Sequence, residues 1–210
     1  TTSYTNKFIQ DKQARSVADV LKNDPNVRVA RGFGNFQESY FMRGFITNSD
    51  DILYNGLYGL LPRQYIASEM FERVEVQRGS SAFLNGMAPG GGSIGGTIAL
   101  MPKRAQAEDL NRLNLGYSSN ERANFSTDIS RRLGENREFG VRLNAAHTEG
   151  ESAIDNDNAR NTVFHLGLDW EVKTVRLSAD LGYQKNYLGS PRPSVTLSGV
   201  TTVPSAPNPR

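Results

Sequence analysis

From about Leu110 the chain alternates between apolar and polar positions. Leu113, Leu115 and Tyr117 share one parity. Ala123, Phe125, Ile129 and Leu133 share the next, with Ser126, Asp128 and Ser130 opposite. Phe139, Val141, Leu143 and Ala145 oppose Gly140, Arg142 and Asn144, and Phe164, Leu166, Leu168 and Trp170 oppose His165, Gly167 and Asp169. In the last stretch Val175, Leu177, Ala179, Leu181 and Tyr183 oppose Arg176, Ser178, Asp180 and Gln184. A period of two predicts strands. About five are expected, each near the ~9–11 residues with which a tilted strand crosses hydrocarbon.

The connections between them are uneven. "LGENRE" and "EVKT" are short, whereas "EGESAIDNDNARN" and the segment after Tyr187 are long and polar. Short turns on one side with long loops on the other are the habit of an outer-membrane barrel, and Tyr117, Trp170, Tyr183 and Tyr187 lie toward strand ends, where an aromatic girdle would sit. A soluble antiparallel sheet with one wet face produces the same alternation. The pattern alone leaves both open.

Residues 1–105 follow a different grammar, that of a mixed α/β unit. Ala14, Val17, Ala18 and Leu21 fall at i, i+3, i+4 and i+7, one apolar helical face, with Pro25 as a stop. Short strands are expected at 26–30, 38–42, 51–55, 73–78 and 97–101, with a short helix at 67–71. Turn residues separate them, notably Gly32, Gly34, Gly44, Asn55-Gly56 and Gly79. In "ERVEVQRG", Val74 and Val76 point one way and Glu75 and Gln77 the other. The tail "SPRPSVTLSGVTTVPSAPNPR" is loop-like and carries no recognisable chemistry.

Composition narrows the functional classes. The 210 residues are 37% hydrophobic, the mean hydropathy is −0.52, and nothing approaches the run of about 18 apolar residues that a membrane helix needs. Barrel strands average out as polar, so a membrane is not excluded. The absence of cysteine rules out disulfides, cysteine zinc sites and thiol nucleophiles. A net charge of +2 exerts no global pull toward nucleic acid, which is not expected as a partner. "TTSYTNKFIQ" lacks the basic and apolar regions of a signal peptide, so an exported protein would have its leader upstream of this sequence.

The glycine-rich stretch "NGMAPGGGSIGG" holds a G-x-S-x-G match at Gly91-Gly92-Ser93-Ile94-Gly95. A nucleophile elbow needs a helix after the serine, then an acid and a histidine in chain order. Ser93 instead precedes the strand-like "IGGTIALMPK". A phosphate loop would need a Gly-Lys-Ser/Thr ending and a following helix, and a dinucleotide fingerprint also needs that helix; neither feature is present. The stretch reads as a turn system in which glycine permits positive φ and close chain approach. His147 and His165 lack metal-ligand spacing. No nucleophile, base or metal set is assembled, so no enzyme is expected. Three arginines precede glycine at strand ends, Arg31-Gly32, Arg43-Gly44 and Arg78-Gly79, and each offers a permanently charged donor fork to oxygen-rich groups.

"ARSVADVLKNDPNVRVA", "FMRGF", "ILYNGLYG" and "ERVEVQRGSSAFLNGMAPGGGSIGGTIALMPKRA" together resemble the plug of a TonB-dependent outer-membrane receptor of the ferric-siderophore type. The resemblance covers residues 1–105, and the alternating strands are what such a receptor's barrel would supply next. It implies an α+β plug domain over 1–105, a small mixed sheet with short helices. Antiparallel transmembrane β-barrel strands follow over 106–210, as a fragment of a 22-stranded plugged barrel, the class with a filled lumen.

The resemblance also implies a function and site residues. Such a receptor binds a ferric chelate at the outer apex of the plug and imports it across the outer membrane of a Gram-negative bacterium when TonB pulls. Iron is carried only as the chelate, with no resident cofactor or metal site. TonB would grip a segment upstream of residue 1, and lipid or lipopolysaccharide would surround the barrel. Arg31, twelve positions before the "RGF" arginine, matches an apical chelate-binding arginine. Ser49 and Asp50, then Tyr58, Arg63 and Tyr65 in "NGLYGLLPRQY", fall on the other apical loops, with plug–barrel packing as the competing role of the two tyrosines. Arg43 and Arg78 match arginines that lock the plug to barrel glutamates. Gly44, Gly79, Gly86, Gly91, Gly95 and Gly96 have structural jobs in a crowded lumen. The alternatives are a TonB-dependent receptor for cobalamin, a sugar or another metal chelate, or a soluble β-rich binding protein.

Overall fold

The computed structural model describes residues 1–31, 34–79, 82–91, 94–118, 121–151, 157–190, 198, 199, 201, 202 and 205. The Ser93 of the elbow match, the glycine of Arg31-Gly32 and most of the tail lie outside them. The chain opens with β1 (Thr2–Thr5) and a short helix α1 (Asn6–Asp11), whose start is capped by the Thr5 hydroxyl. The next helix, α2 (Val17–Leu21), is shorter than the apolar spacing predicts. Gln13 turns the chain at φ 48°, and the Ser16 hydroxyl accepts from the Asp19 amide, starting the helix only after Ala14. The predicted face is still buried: Ala14, Val17, Ala18 and Leu21 all enter the core.

Three strands then form an antiparallel sheet in chain order: β2 (Val27–Arg31), β3 (Ser39–Met42) and β4 (Phe45–Asn48). The last is absent from the sequence reading. It exists because Met42 pairs with Phe45 across a two-residue turn in which Arg43 and Gly44 both have positive φ, 53° and 87°. That mirror-image turn matches the strand twist. A 3-10 turn at Ser49–Asp51 shortens the expected 51–55 strand to β5 (Leu53–Tyr54), and a second, Ser68–Met70, stands where a short helix was expected. β6 (Phe71–Arg78) buries Val74 and Val76 as the alternation requires. After α3 (Ala82–Asn85), β7 (Gly96–Pro102) completes a four-stranded sheet of order β1-β6-β7-β5.

Glycine is needed where these two sheets cross. A Cβ at Gly95 would overlap the Met42 carbonyl oxygen, and one at Gly96 would overlap the Gln77 carbonyl. Only a residue without a side chain lets the β3–β4 turn lie against the end of β6.

The second half is an antiparallel meander of five strands: β8 (Leu110–Ser118), β9 (Arg122–Leu133), β10 (Phe139–Glu151), β11 (Asn158–Val172) and β12 (Val175–Leu188). Trp170 pairs with Phe139 at the short-turn end, and Tyr117 and Tyr187 sit at the opposite end. Tyr183 does not join a girdle, because it lies opposite Phe164 in mid-sheet.

This sheet is inside out. Leu115 and Tyr117 are 76% and 77% exposed, whereas Asp128 and Arg142 are 3% and 0% exposed. Ser130, Asn144, His165 and Asp169 are buried as well. A water-facing sheet would place the two parities the other way round, so the soluble wet-face reading fails.

The buried polar face is occupied by the first half of the chain. Just after β7, the Lys103 ammonium lies 3.0 Å from Asp128 and donates to the Asn144 side-chain amide oxygen at 2.8 Å. Arg142 donates to both oxygens of Asp128, at 2.5 and 2.8 Å, and to the Arg104 carbonyl at 3.1 Å. Arg104 forms a forked pair with Asp180, and Arg132 reaches Asp169 at 2.7 Å. Burial pushes the Lys103 ammonium below its ordinary pKa, and Asp128 pulls it the other way.

Asp128 therefore pairs with two buried cations at once, with Glu72 3.7 Å from Arg142 as a further acid, which sets up a test. Removing one partner from a buried ion cluster costs about 3–5 kcal/mol. In the full-length protein, Asp128→Ala should sharply accelerate amide hydrogen exchange around Lys103–Ala105. Unchanged exchange would show that the cluster does not hold the junction.

Candidate functional site

At one end of the first half, three separate segments meet. Arg31 closes β2, and its guanidinium carbon stands 4.9 Å from the centroid of the Phe36 ring, in cation–π range. Gln37 follows; its amide nitrogen donates to Asp50 at 2.9 Å and to the Ser49 hydroxyl at 3.3 Å. Arg63 comes from the third segment. Its Nε is 3.4 Å from Asp50, and its Nη2 donates to the Gln37 amide oxygen at 3.4 Å. Arg63 and Asp50 are both substantially exposed, so their pairing is worth ~0–1 kcal/mol and is easily exchanged for another partner.

Glu38 fastens the floor of this cluster. Its amide donates to the Arg63 carbonyl at 2.9 Å, and its carbonyl accepts from the Ser49 amide at 3.0 Å. Its carboxyl is fully buried and accepts from the Tyr40 hydroxyl at 2.5 Å and from the Ile66 amide at 3.4 Å. Next to the Arg63 segment lies a cavity of about 490 Å³ against β11 and β12, lined by Leu57, Leu60, Pro62, His165, Asp180 and Tyr183 among others. His165 faces inward there, with Nε2 3.3 Å from Asp180 and 3.5 Å from the Tyr54 hydroxyl. Among the described residues no group of three metal-ligating side chains is assembled.

The sequence-predicted residues divide between this cluster and other places. Asp50 and Arg63 come together at Gln37, and Arg31 packs on the adjoining Phe36. Ser49 is near them but is buried, and its hydroxyl is spent on the Arg63 carbonyl at 3.1 Å. Tyr58 points away, its hydroxyl facing the Gly86 carbonyl at 3.5 Å. Tyr65 is core: its hydroxyl donates to the Arg15 carbonyl at 2.9 Å, and its own carbonyl accepts from Gln184 of β12 at 2.7 Å. Ser49, Tyr58 and Tyr65 are thus scaffold in this structure rather than presented side chains.

The other two arginines sit at the opposite, glycine-rich end. Arg78 donates to the Thr2 hydroxyl at 2.6 Å and lies 3.4 Å from Asp24. It therefore has a carboxylate partner inside its own unit, where a barrel glutamate was expected. Burial would raise Asp24, but hydrogen bonds from Asn26 and Tyr4 together with the Arg78 charge outweigh it and hold its carboxyl below the ordinary value. Arg43 lies against Gly79 and forms no ion pair with any described residue.

A polar-faced sheet wrapped on a small mixed unit, apolar side outward, is the arrangement of a plugged barrel wall. Residues 1–93 match the family model described as TonB-dependent Receptor Plug Domain. The ferrichrome receptor FcuA of Yersinia enterocolitica is 44% identical over 205 residues, covering 98% of this chain and 27% of that protein. This chain belongs to the TonB-dependent receptors. The solved structure of BauA, the ferric preacinetobactin receptor of Acinetobacter baumannii, superposes with a TM-score of 0.83 at 39% identity, over 89% of this chain and 28% of that one. The Pseudomonas aeruginosa pyoverdine receptor FpvA, at 24% identity and a TM-score of 0.75 over 88% of this chain and 27% of that one, shares the fold. The chain spans about a quarter of the length of the curated relatives it matches.

Within this TonB-dependent receptor, sequence reasoning missed the groups that join the plug loops. Phe36, Gln37 and Glu38 stand in "NFQESY", where a predicted strand beginning at 38 absorbed the signal. The one available hint was a glutamate entering an apolar strand.

That glutamate has a measurable consequence. Burial pushes the Glu38 carboxyl from 4.5 up to about 7, against the hydrogen bonds from Tyr40 and Ile66; burial raises Glu69 to about 7 as well. The folded plug therefore takes up protons between those values. This contribution to stability is fully present below about pH 4.5 and is lost as pH rises through 7. Glu38→Gln should reduce the fall in plug stability between pH 4.5 and 7, and adding Glu69→Gln should reduce it further. Denaturant melts with an unchanged slope in both variants would refute the assignment.

Proposed function

We propose that this chain is the plug and first wall strands of an outer-membrane receptor of a Gram-negative bacterium that imports a ferric siderophore by TonB-dependent transport. Support comes from three relatives named for ferrichrome, preacinetobactin and pyoverdine. The observation that carries the reading is the cluster at one end of a plug seated on a polar wall, where Gln37 holds Asp50 and Arg63 and the adjoining Phe36 seats Arg31. Iron is cargo inside its chelate, and the plug needs no metal ligands of its own. Lipid or lipopolysaccharide meets the bare apolar parity of β8–β12, and TonB acts on the plug from the periplasmic side.

The chemistry of recognition follows from the side chains. A hydroxamate or carboxylate chelate presents an oxygen-rich shell around ferric ion. Arginine supplies a planar fork of donors that keeps its charge at any working pH, and charge-assisted bonds of this kind are roughly twice as strong as neutral ones. Arg31 is pre-oriented by the Phe36 ring, so less rotamer freedom is lost when cargo binds. Phe36 is itself 59% exposed and offers an apolar face beside the charge.

Uptake of radioactive iron by cells expressing the full-length gene tests the reading, with hydroxamate, catecholate and citrate-type chelates supplied with and without TonB. TonB-dependent uptake of one class is expected. No uptake from any chelate by receptor folded in the outer membrane would redirect the assignment to a different cargo. Arg31→Ala should weaken binding of the transported chelate about tenfold, the value of one charge-assisted hydrogen bond. Plug unfolding should stay unchanged, and equal affinity would remove Arg31 from the site.

A further inference from the structure

The Gln37 side chain touches both the Asp50 turn and the Arg63 segment. It is 4% exposed, and each end of its amide is engaged. The nitrogen donates to Asp50 at 2.9 Å, and the oxygen accepts from Arg63 at 3.4 Å. Arg63 also lies 3.4 Å from the same Asp50 oxygen that Gln37 holds. The amide thus competes with the Arg63 guanidinium for the Asp50 oxygen that both approach. The shorter of its two bonds is to the acid.

We infer that Gln37 is a positioning residue for cargo recognition: by holding Asp50, it leaves Arg63 available to an oxygen-rich, anionic or hydroxamate group on the cargo. The inference rests on reading this cluster as the chelate-facing surface. When Arg63 turns to cargo, Asp50 keeps a donor, so no carboxylate is stripped of partners in the bound state. Without Gln37, the acid has only the guanidinium to turn to, and cargo must compete with Asp50 for it. The neighbouring Phe36 sets Arg31 in place on the other side, so a single dipeptide fixes both cations relative to one another.

The test is a double-mutant cycle in the full-length receptor, with ferrichrome and ferric citrate as probes and binding followed by intrinsic fluorescence. Gln37→Met keeps the size of the side chain and removes both hydrogen bonds. It should weaken binding up to about fivefold in the wild-type background, the most that an exposed Asp50–Arg63 pair of about 1 kcal/mol can withhold from the cargo. In an Asp50→Ala background, where no acid competes for Arg63, the same change should cost less than about twofold. Gln37→Leu, which also removes both hydrogen bonds without adding a charge, is a second variant and should show the same dependence on Asp50. Equal losses in both backgrounds, the mark of a merely structural role, or no loss in either, would overturn the inference and leave the receptor assignment standing. A wild-type receptor that binds neither probe nor any other ferric chelate would overturn the chelate reading and this inference with it.

Discussion

The structure depends on one constraint: a sheet whose polar face is dry and whose apolar face is bare. Buried Asp128, Arg142, Asn144, His165 and Asp169 would each carry a heavy desolvation cost if left alone. They are tolerable because they pair among themselves, Arg142 with Asp128 and Arg132 with Asp169, and because the plug brings further groups to the same face. The junction after β7 supplies two consecutive cations, Lys103 and Arg104, which divide between Asp128 and Asp180. The wall in turn gives the plug a surface against which its own polar edges can be satisfied, as where Gln184 closes both the Ala67 amide and the Tyr65 carbonyl. Neither half is complete in polar terms without the other.

The same logic places the cluster around Gln37, Asp50 and Arg63. Loops that present charged groups to a ligand cannot also be held by those groups, so something beneath must fix them. Glu38 does this with its backbone and its buried carboxyl, drawing together the Ser49 turn, the Arg63 segment and Ile66. Asp50 and Arg63 are then left in a weak, exposed pair, and half-buried Arg31 rests on the Phe36 ring. Strong bonds lie below the cluster and exchangeable ones on top.

Local pattern was legible in the sequence, and long-range pairing was not. Alternation located all five wall strands and the burial of Val74 and Val76, because period two needs no knowledge of the partner. The break before α2 was hidden, since a positive φ at Gln13 leaves no compositional mark while the apolar spacing runs on through Ala14. β4 was missed because its turn uses Arg43 at a position normally given to glycine or asparagine. At the cluster, residue type pointed to Asp50 and Arg63, which the fold brings into one ion pair, and to Arg31, which packs on the Phe36 ring. It could not tell that the Ser49 hydroxyl and the Tyr65 ring face inward, or that Arg78 has Asp24 for a partner fifty-four residues away. Those facts belong to the tertiary fold, where the partner is far along the chain.

The strand order β1-β6-β7-β5 carries a consequence for how the molecule is made. β1 is an edge strand whose only neighbour is β6, with Thr2 opposite Val76. A chain that emerges N-terminus first holds that strand unpaired until β6 has arrived, and the sheet cannot close until β7 follows. The wall, by contrast, zips between sequence neighbours joined by tight turns, pairings of low contact order that form fast. Its polar face can therefore be ready before the plug has finished assembling. Folding of the plug then becomes a matter of docking late, non-local strands onto a surface already in place.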